Sequence, residues 1–265
     1  PEDNRADLRE VHFARMVEIE CLSGVRELPA SEWNALVGDG SPFLEWEFLA
    51  SLEEAGCVGG GTGWEPRPLV AIENGRLVAA APLYLKQHSE GEFVFDWGWA
   101  DAAERAGIPY YPKLLVGVPF TPATGARLLV AEGEDRAVWT ERLAAALLEL
   151  CRSNDLSGVH VNFCREDEIA PLRAQGFELR VGVQYHWRNA GYTVFDDWLA
   201  RFRSKRRNQI KRERREVAES GVAIETVSGE EIPDDLFEPM FRFYLSTVRT
   251  RVWGRQYLNR RFFAL

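Results

Sequence analysis

Two apolar, strand-like stretches, residues 67–72 and 76–85, are separated only by Glu73, Asn74 and Gly75. Asn-Gly between such stretches is the strongest short-range signal for a β-hairpin, because both residues tolerate the positive φ angles of a tight turn. The sequence therefore predicts an antiparallel strand pair early in the chain. This pair restricts the fold to classes that contain a sheet.

The elements around this hairpin predict a mixed α/β (α+β) fold, in which a mixed sheet is flanked by helices. Apolar residues at helical spacing predict a long helix over 134–152 with one apolar face. Ser31 is the expected N-cap of a short helix over 32–37. Further helices are expected at 45–55 and 167–175, and further strands at 17–28, 92–99, 114–118, 159–164 and 177–187.

The last part of the chain repeats the opening pattern in its order of elements. A helical pattern over 196–220 stops at Gly221, residues 222–227 are strand-like, and 236–248 and the residues from Tyr257 onward are amphipathic. We therefore predict a first domain over 1–190 and the start of a second over 191–265. Because the chain begins at Pro1 and ends within an amphipathic pattern, we expect it to be a fragment.

Residues 201–215 are strongly basic in an otherwise acidic chain. They contain nine Arg or Lys residues and one acid, Glu213, so they carry +8, and the remainder carries −17 in a chain of net charge −9. So dense a cluster repels itself unless an anion compensates it, which favours a polyanionic ligand. The alternative is a solvated helix face, whose charges are screened by water.

Composition indicates a globular, cytoplasmic protein that is not inserted in a membrane. The chain is 46% hydrophobic, yet its apolar runs are far shorter than the roughly 20 residues that span a bilayer. No apolar signal core lies near the N-terminus. The four cysteines have no metal-ligand spacing, so we expect reduced thiols and no metal.

Four segments resemble the FemAB-like branch of the GNAT acyltransferase superfamily: WEPRPLVAIENGRLVAAAPLYLK, FDWGWADAAERAGIPYYPKLLVGVPFTPATGARLL, YHWRNAGYTVFDDWLARFRSKRRNQIKRERR and VWGRQYLNRRFF. The resemblance implies a GNAT-like domain followed by the opening part of a second one. It also implies transfer of an acyl group, in the founding members an amino acid from aminoacyl-tRNA, to an amine on a peptidoglycan precursor. No metal is implied.

The loop over residues 120–127 falls where a GNAT protein places its pyrophosphate-binding turn, but it lacks the usual Gln-x-x-Gly-x-Gly pattern. The loop therefore either lines an acceptor cleft or serves as a rigid connection, and coenzyme A binding by this domain is in question. Acyl transfer to an amine needs a deprotonated nucleophile and two substrates held side by side.

The candidate catalytic residues are Asp96 as proton acceptor, Lys113 as partner of a phosphate or carboxylate, and His186 as general base. Core packing and surface charge are the alternative roles of these residues. Aromatic faces, hydroxyl groups and cations suit the binding of sugar, peptide or phosphate. The substrate-binding candidates are Trp97, Trp99, Tyr110, Tyr111, Phe120, Thr121, Thr124, Arg127, Tyr185, Lys205, Arg206, Arg207, Lys211, Arg212, Trp253, Arg255 and Tyr257.

These observations favour an acyltransferase that moves an aminoacyl or other acyl group to an amine, with a peptidoglycan precursor as acceptor. The donor would be aminoacyl-tRNA or acyl-CoA, and no cofactor is certain. Two alternatives remain: a non-catalytic GNAT-like module that binds RNA or a cell-wall precursor, and an acetyl-CoA N-acetyltransferase. The sequence leaves the oligomeric state open.

Overall fold

The computed structural model describes residues 17–252 and 254–265. The chain divides into two compact units, one from residue 17 to Arg180 together with Glu238–Leu265, the other Val181–Phe237. The predicted domains, 1–190 and 191–265, stay a prediction.

The first unit contains two four-stranded sheets. The first sheet has the strand order β1-β3-β4-β7 and is antiparallel throughout. The second has the order β2-β5-β6-β8, in which only β6 and β8 run parallel. The strands are β1 Val17–Cys21, β2 Trp64–Pro66, β3 Leu69–Glu73, β4 Arg76–Ala81, β5 Leu83–Lys86, β6 Lys113–Val116, β7 Leu129–Val130 and β8 Val159–Val161.

The predicted hairpin is confirmed. Strands β3 and β4 pair antiparallel, and Asn74 and Gly75 form the turn with φ angles of 53° and 76°. The second apolar stretch is not one strand, because Pro82 has no N–H for a ladder and the chain passes there from the first sheet to the second. Strand β4 of the first sheet is therefore followed directly by β5 of the second sheet, with only Pro82 between them.

Helices cover both faces of these strands. Alternate residues of β3 and β4 point to opposite sides: Ala71 and Ala79 pack with helix α4, whereas Val70 and Ala80 pack with α1 and α2. The predicted mixed α/β class is thereby confirmed. The helices are α1 Ala30–Val37, α2 Trp46–Glu54, α3 Trp97–Arg105, α4 Arg136–Ser153, α5 Glu166–Ala174, α6 Phe195–Leu199, α7 Ser204–Glu219 and α8 Phe237–Arg249.

The four helices predicted before residue 180 begin within two residues of their expected starts, but the predicted N-cap of the first one is wrong. Helix α4 is confirmed, and Asp135 caps it by accepting hydrogen bonds from the amides of Ala137 and Val138. Ser31 is not the N-cap of α1, since the helix already begins at Ala30 after Pro29. Pro29 has a fixed φ that precedes a helix readily, which the sequence pattern did not weigh.

The predicted strand over 92–99 is wrong. Phe93 and Phe95 adopt positive φ angles of 58° and 51°, which no strand accommodates. The chain forms a loop here and enters α3 at Trp97. The alternating aromatic residues that suggested a strand are partly exposed on this loop and helix.

The expected strands over 177–187 and 222–227 are also absent, since both segments are irregular. Phe177 packs against the core, but most of the other apolar side chains are exposed, with Val183 at 83% and Ile224 at 78%. Neither segment pairs with a strand of the described chain. The helix expected over 196–220 is divided into α6 and α7, and the residues after Tyr257 form only a short 3-10 turn.

No helix within residues 17–252 and 254–265 is long and apolar enough to cross a lipid bilayer.

Glu168 in the first turn of α5 holds the loop that precedes β7. Its Oε1 accepts hydrogen bonds from the amides of Arg127 and Leu128, both at 2.7 Å, and its Oε2 accepts one from the Arg165 amide at 2.8 Å. The residue is 1% exposed. Buried amides without an acceptor are costly, so this one carboxylate stabilises two buried amides and a third, partly buried one.

We expect Glu168→Ala to lower the free energy of unfolding by about 3 kcal/mol, because three amides lose their acceptor. The matched control is Glu166→Ala in the same helical turn, where the side chain is exposed. Urea unfolding followed by circular dichroism measures both. Equal stability of the two variants would contradict the role of Glu168.

Candidate functional site

The first residue of β6, Lys113, places its charge in the interior of the first unit. Its side chain is fully buried, and Nζ lies 2.8 Å from Asp96 Oδ2 and 3.1 Å from Glu92 Oε2. The same Nζ donates to Ser89 Oγ at 3.0 Å and lies 3.5 Å from His160 Nδ1. The Lys113 cluster is defined here as Ser89, Glu92, Asp96, Tyr110, Tyr111, Lys113 and His160.

Strand pairing brings a second buried lysine to this place. Lys86 at the end of β5 lies directly opposite Lys113 in the β5–β6 register, and both are 0% exposed. Like charges opposite each other in a sheet repel. The chain offsets this repulsion with Glu92 and Asp96, which lie on the connection between β5 and α3.

Asp96 is held in its charged form. Burial opposes ionisation, but hydrogen bonds from Lys113, Ser89 and Tyr110 together outweigh it and lower the pKa of Asp96 to about 2. Tyr110 contributes by donating from its hydroxyl to Asp96 Oδ2 at 2.8 Å. A carboxylate with so low a pKa is a weak proton acceptor near neutral pH.

Burial shifts the pKa values of the neighbouring ionisable groups in different directions. Burial raises the pKa of Glu92, although Lys113 opposes the shift. Burial and the adjacent Lys113 charge lower the pKa of His160 to about 4, so that this imidazole is neutral. Burial also lowers the pKa of Lys86 to about 7, while its Nζ lies 3.7 Å from the centroid of the Trp64 ring.

Glu92, Asp96 and His160 each offer an atom of a type that can bind metal, and these three atoms lie within 4.8 Å of one another. The Lys113 ammonium lies within 3.5 Å of all three residues. A metal ion would therefore have to displace the ammonium, and the arrangement is that of an ion-pair cluster.

A pocket of about 440 Å³ lies beside the Lys113 cluster. One wall is a single face of α3, on which Trp97, Asp101 and Glu104 follow at spacings of four and three residues. Tyr110 and Tyr111, whose rings meet edge to face at 5.1 Å, also line the pocket. The aromatic pocket is defined by the residues His88, Trp97, Asp101, Glu104, Tyr110 and Tyr111.

His88 in this pocket is a neutral, fully bonded side chain. Its Nδ1 accepts from the Glu90 amide at 3.2 Å, so Nε2 carries the proton and donates to the Thr62 carbonyl at 3.1 Å. Burial, and after it the charge of Lys86, lowers the pKa of His88. Gly63 has a φ of 77° and no Cβ that would collide with this imidazole. His88 therefore shapes the pocket and holds no free proton-accepting atom.

The loop over residues 120–127 is held by its own last side chain. Arg127 is 1% exposed, and its guanidinium donates to the carbonyls of Asn162, Ala123 and Ala126. Thr121 donates to the Pro119 carbonyl. The predicted substrate contact of Arg127 stays a prediction, and its guanidinium is already occupied.

Aromatic residues from distant parts of the sequence meet at Phe120. Its ring stacks on Tyr257 at 4.9 Å and meets Trp64 edge to face at 5.3 Å. Arg255 pairs with Glu90 at 2.9 Å. The structure thus brings Tyr257 onto the start of the predicted substrate loop, whereas the predicted site residue Trp253 lies outside the described residues.

Most of the basic residues of the second unit lie on α7 and are exposed. Lys211 lies 3.9 Å from Asp196, and Arg212 pairs with Glu216 at 3.6 Å. The first turn of α7 contains three further cations, Lys205, Arg206 and Arg207. None of them forms an ion pair with a described residue.

The other predicted residues are not gathered into one site. His186 is exposed in the second unit, where its Nε2 lies 3.3 Å from Gln184 Oε1, and its neighbour Tyr185 is 97% exposed. Thr124 is exposed on its loop, and Trp99 is 64% exposed on α3. Their predicted roles stay predictions.

Of the predicted residues, Asp96, Tyr110, Tyr111 and Lys113 are brought together in one cluster. Residues that were not predicted from the sequence are Ser89, Glu92 and His160 in the cluster and His88 and Glu104 in the pocket. One signal was available: Lys86 and Lys113 each belong to an apolar strand, and a lysine buried there needs an acidic partner. A search for nearby acids would have found Glu92.

The low pKa of Lys86 gives a pH dependence with a defined sign. The unfolded chain keeps the proton up to the ordinary pKa of 10.5, whereas the folded chain releases it near pH 7. Stability therefore rises with pH between these values, and we expect a gain of about 2 kcal/mol from pH 7 to pH 9. Lys86→Met, measured by urea unfolding at both pH values, should lack this gain; an unchanged gain in the variant would contradict it.

Three comparisons relate the chain to known proteins. No curated protein matches it. Among solved structures, an aminoglycoside N-acetyltransferase in complex with CoA matches with a TM-score of 0.41 and 16% identity, covering 68% of this chain and 99% of that one.

One family model matches most of the chain. A model of the FemAB-like family, described as peptidoglycan biosynthesis/recognition, matches residues 24–265. This match spans both compact units and contains the whole Lys113 cluster and the aromatic pocket. The chain therefore belongs to the FemAB-like family.

Proposed function

We propose that this protein transfers an aminoacyl or other acyl group to an amine of a peptidoglycan precursor, by direct attack of that amine. Membership in the FemAB-like family supports acyl transfer as the reaction class. The observation that carries the proposal is the aromatic pocket with two carboxylates on one helix face. Such a pocket suits a ligand with a cationic amine on an apolar stem.

The two carboxylates of the pocket are accessible to a ligand. Asp101 and Glu104 are both exposed, and neither forms an ion pair with a described residue. An ammonium between them would gain charge-assisted hydrogen bonds. Trp97 on the same face and the two tyrosines would contact the apolar stem.

Asp96 and Lys113 support this site without touching the substrate. Both side chains are fully buried and bonded to each other, and Asp96 also accepts from Tyr110. Their role in the proposal is to hold a wall of the pocket. The acceptor ammonium first loses a proton to solvent or to an exposed carboxylate of the pocket, and the neutral amine then attacks the acyl carbonyl. The tRNA hydroxyl, or the thiol of CoA, leaves with the proton that the amine gives up, while His186 remains a further candidate base.

The donor would bind the second unit through α7. Lys205, Arg206 and Arg207 occupy the first turn of this helix, where the helix dipole is positive and cations are unfavourable. A phosphate-rich donor would offset this repulsion. Aminoacyl-tRNA is the donor we favour, and acyl-CoA is the alternative.

A second function is favoured by one observation. The two charged residues predicted to be catalytic are fully buried, as in a binding module that recognises a cell-wall precursor without chemistry. The family description includes recognition as well as biosynthesis. Turnover in a transfer assay separates the two functions, because a binding module would retain the precursor without acylating it.

Neutralising the pocket should weaken use of the acceptor. We expect Asp101→Asn with Glu104→Gln to raise KM for acetyl-L-Lys-D-Ala-D-Ala about tenfold or more, because the ammonium loses two charged partners. The assay follows acyl transfer from aminoacyl-tRNA. Glu141→Gln, an exposed acid on α4, is the control, and an unchanged KM in the double variant would remove the pocket from acceptor binding.

Charge reversal on α7 should weaken binding of the donor. We expect Lys205→Glu with Arg207→Glu to reduce aminoacyl-tRNA binding about tenfold or more in a filter-retention assay, because phosphate contacts are lost. Arg173→Glu with Arg242→Glu makes the same charge change at exposed positions of the first unit. An equal loss in both double variants would indicate general charge repulsion. Competition by acetyl-CoA would identify coenzyme A as the donor carrier.

A further inference from the structure

The two tyrosines that line the aromatic pocket are connected through one buried ammonium. The Tyr110 hydroxyl donates to Asp96 Oδ2 at 2.8 Å, and Lys113 Nζ donates to the same oxygen at 2.8 Å. Lys113 also donates to Ser89 Oγ at 3.0 Å, which shares a 2.7 Å hydrogen bond with the Tyr111 hydroxyl. Together with the contact between the two tyrosine rings, these hydrogen bonds form a closed series of contacts, called the circle below.

The inner members of this circle are shielded from water. Asp96 and Lys113 are 0% exposed and Ser89 is 4% exposed. Lys113 Nζ lies 5.0 Å from the centroid of the Tyr110 ring and 5.4 Å from that of Tyr111. Because water is excluded, the hydrogen bonds of the circle are strong and their geometry is narrowly defined.

Both tyrosine hydroxyls are used by the cluster and not by the pocket. Each hydroxyl is bonded to Asp96 or Ser89, so the tyrosines present ring carbon to the pocket. The polar groups left for a ligand include the exposed carboxylates of Asp101 and Glu104. This surface favours an amine on an apolar stem over an anionic or hydroxyl-rich group.

We propose that Lys113 is a positioning residue that holds both tyrosine walls as one unit and thereby sets the preference of the aromatic pocket for an amine. The inference rests on the proposed function for the identity of the ligand, but not for the coupling of the two walls. Lys113 acts through Asp96 on Tyr110 and through Ser89 on Tyr111. Removal of either connection disturbs the other wall as well.

The first experiment tests the coupling without a ligand. The protein is labelled with ¹³C in its tyrosine rings, and the signals of Tyr110 and Tyr111 are assigned with the two Tyr→Phe variants. Ser89→Ala removes the bond to Tyr111 and leaves every direct contact of Tyr110 in place. The signal followed is that of the ring Cζ atom, which responds to the hydrogen bond of the hydroxyl more than to the contact between the two rings. We expect the Cζ signals of both tyrosines to shift, because Lys113 and Asp96 each lose a hydrogen bond to Ser89, which changes the bond from Tyr110 to Asp96.

A shift of Tyr111 alone in Ser89→Ala would overturn the proposal. Ser153→Ala is the control: this serine is exposed on α4 and bonds only to Glu149, so neither tyrosine ring should respond. Ser89→Thr keeps the hydroxyl and should restore both signals. Failure of this rescue would also count against the role of the hydroxyl in the circle.

The second experiment measures selectivity. Calorimetry compares binding of acetyl-L-Lys-D-Ala-D-Ala with that of the same peptide acetylated on the lysine side chain, which has no charge there. We expect Tyr110→Phe and Tyr111→Phe each to weaken binding of the amine peptide about fivefold, the effect of one lost hydrogen bond. Because the walls move as one unit, the double variant should lose little more than either single variant.

Strictly additive losses in the double variant would show independent walls and overturn the proposal. If the unmodified protein bound neither peptide, the proposed acceptor would be wrong, whereas the ring signals would still decide whether Lys113 couples the walls. If both peptides bound equally, the preference for an amine would be refuted. The two experiments therefore separate failure of the positioning role from failure of the proposed function.

Discussion

Burial of the Lys113 ammonium at the start of β6 requires negative charge around it, and much of the first unit is arranged by that requirement. An unpaired charge in a protein interior is costly. Glu92 and Asp96 supply the compensation, and the connection from β5 to α3 therefore folds back over the end of the sheet. The position of α3 follows, since this helix begins directly after Asp96.

The aromatic pocket is a consequence of the same arrangement. With α3 placed beside the Tyr110–Tyr111 segment, its face of Trp97, Asp101 and Glu104 lines the same pocket as the two tyrosines. The hydroxyls of the tyrosines bond to the buried cluster, and their carbon surfaces remain for a ligand. One buried ion pair thus links the stability of the sheet to the shape of the candidate acceptor site.

Charge has a different role in the second unit. The basic residues of α7 are exposed and only partly paired, so they add little to stability. In the proposed function, this density of exposed cations serves an anionic donor. The first unit would then bind an amine and the second a phosphate-rich group, and these are the two kinds of substrate that the proposed acyl transfer uses.

The sequence by itself determined the features that depend on neighbours along the chain. The Asn74–Gly75 turn and the long helix α4 follow from local backbone preference and apolar spacing, and the basic helix was also visible as a pattern. Tertiary structure decided the rest. Strand register buries Lys86 and Lys113 side by side, and Glu92 from a separate segment pairs with Lys113 there. Phe93 lies in a loop and not in a strand. In both places, charge compensation and burial between distant segments outweigh local periodicity.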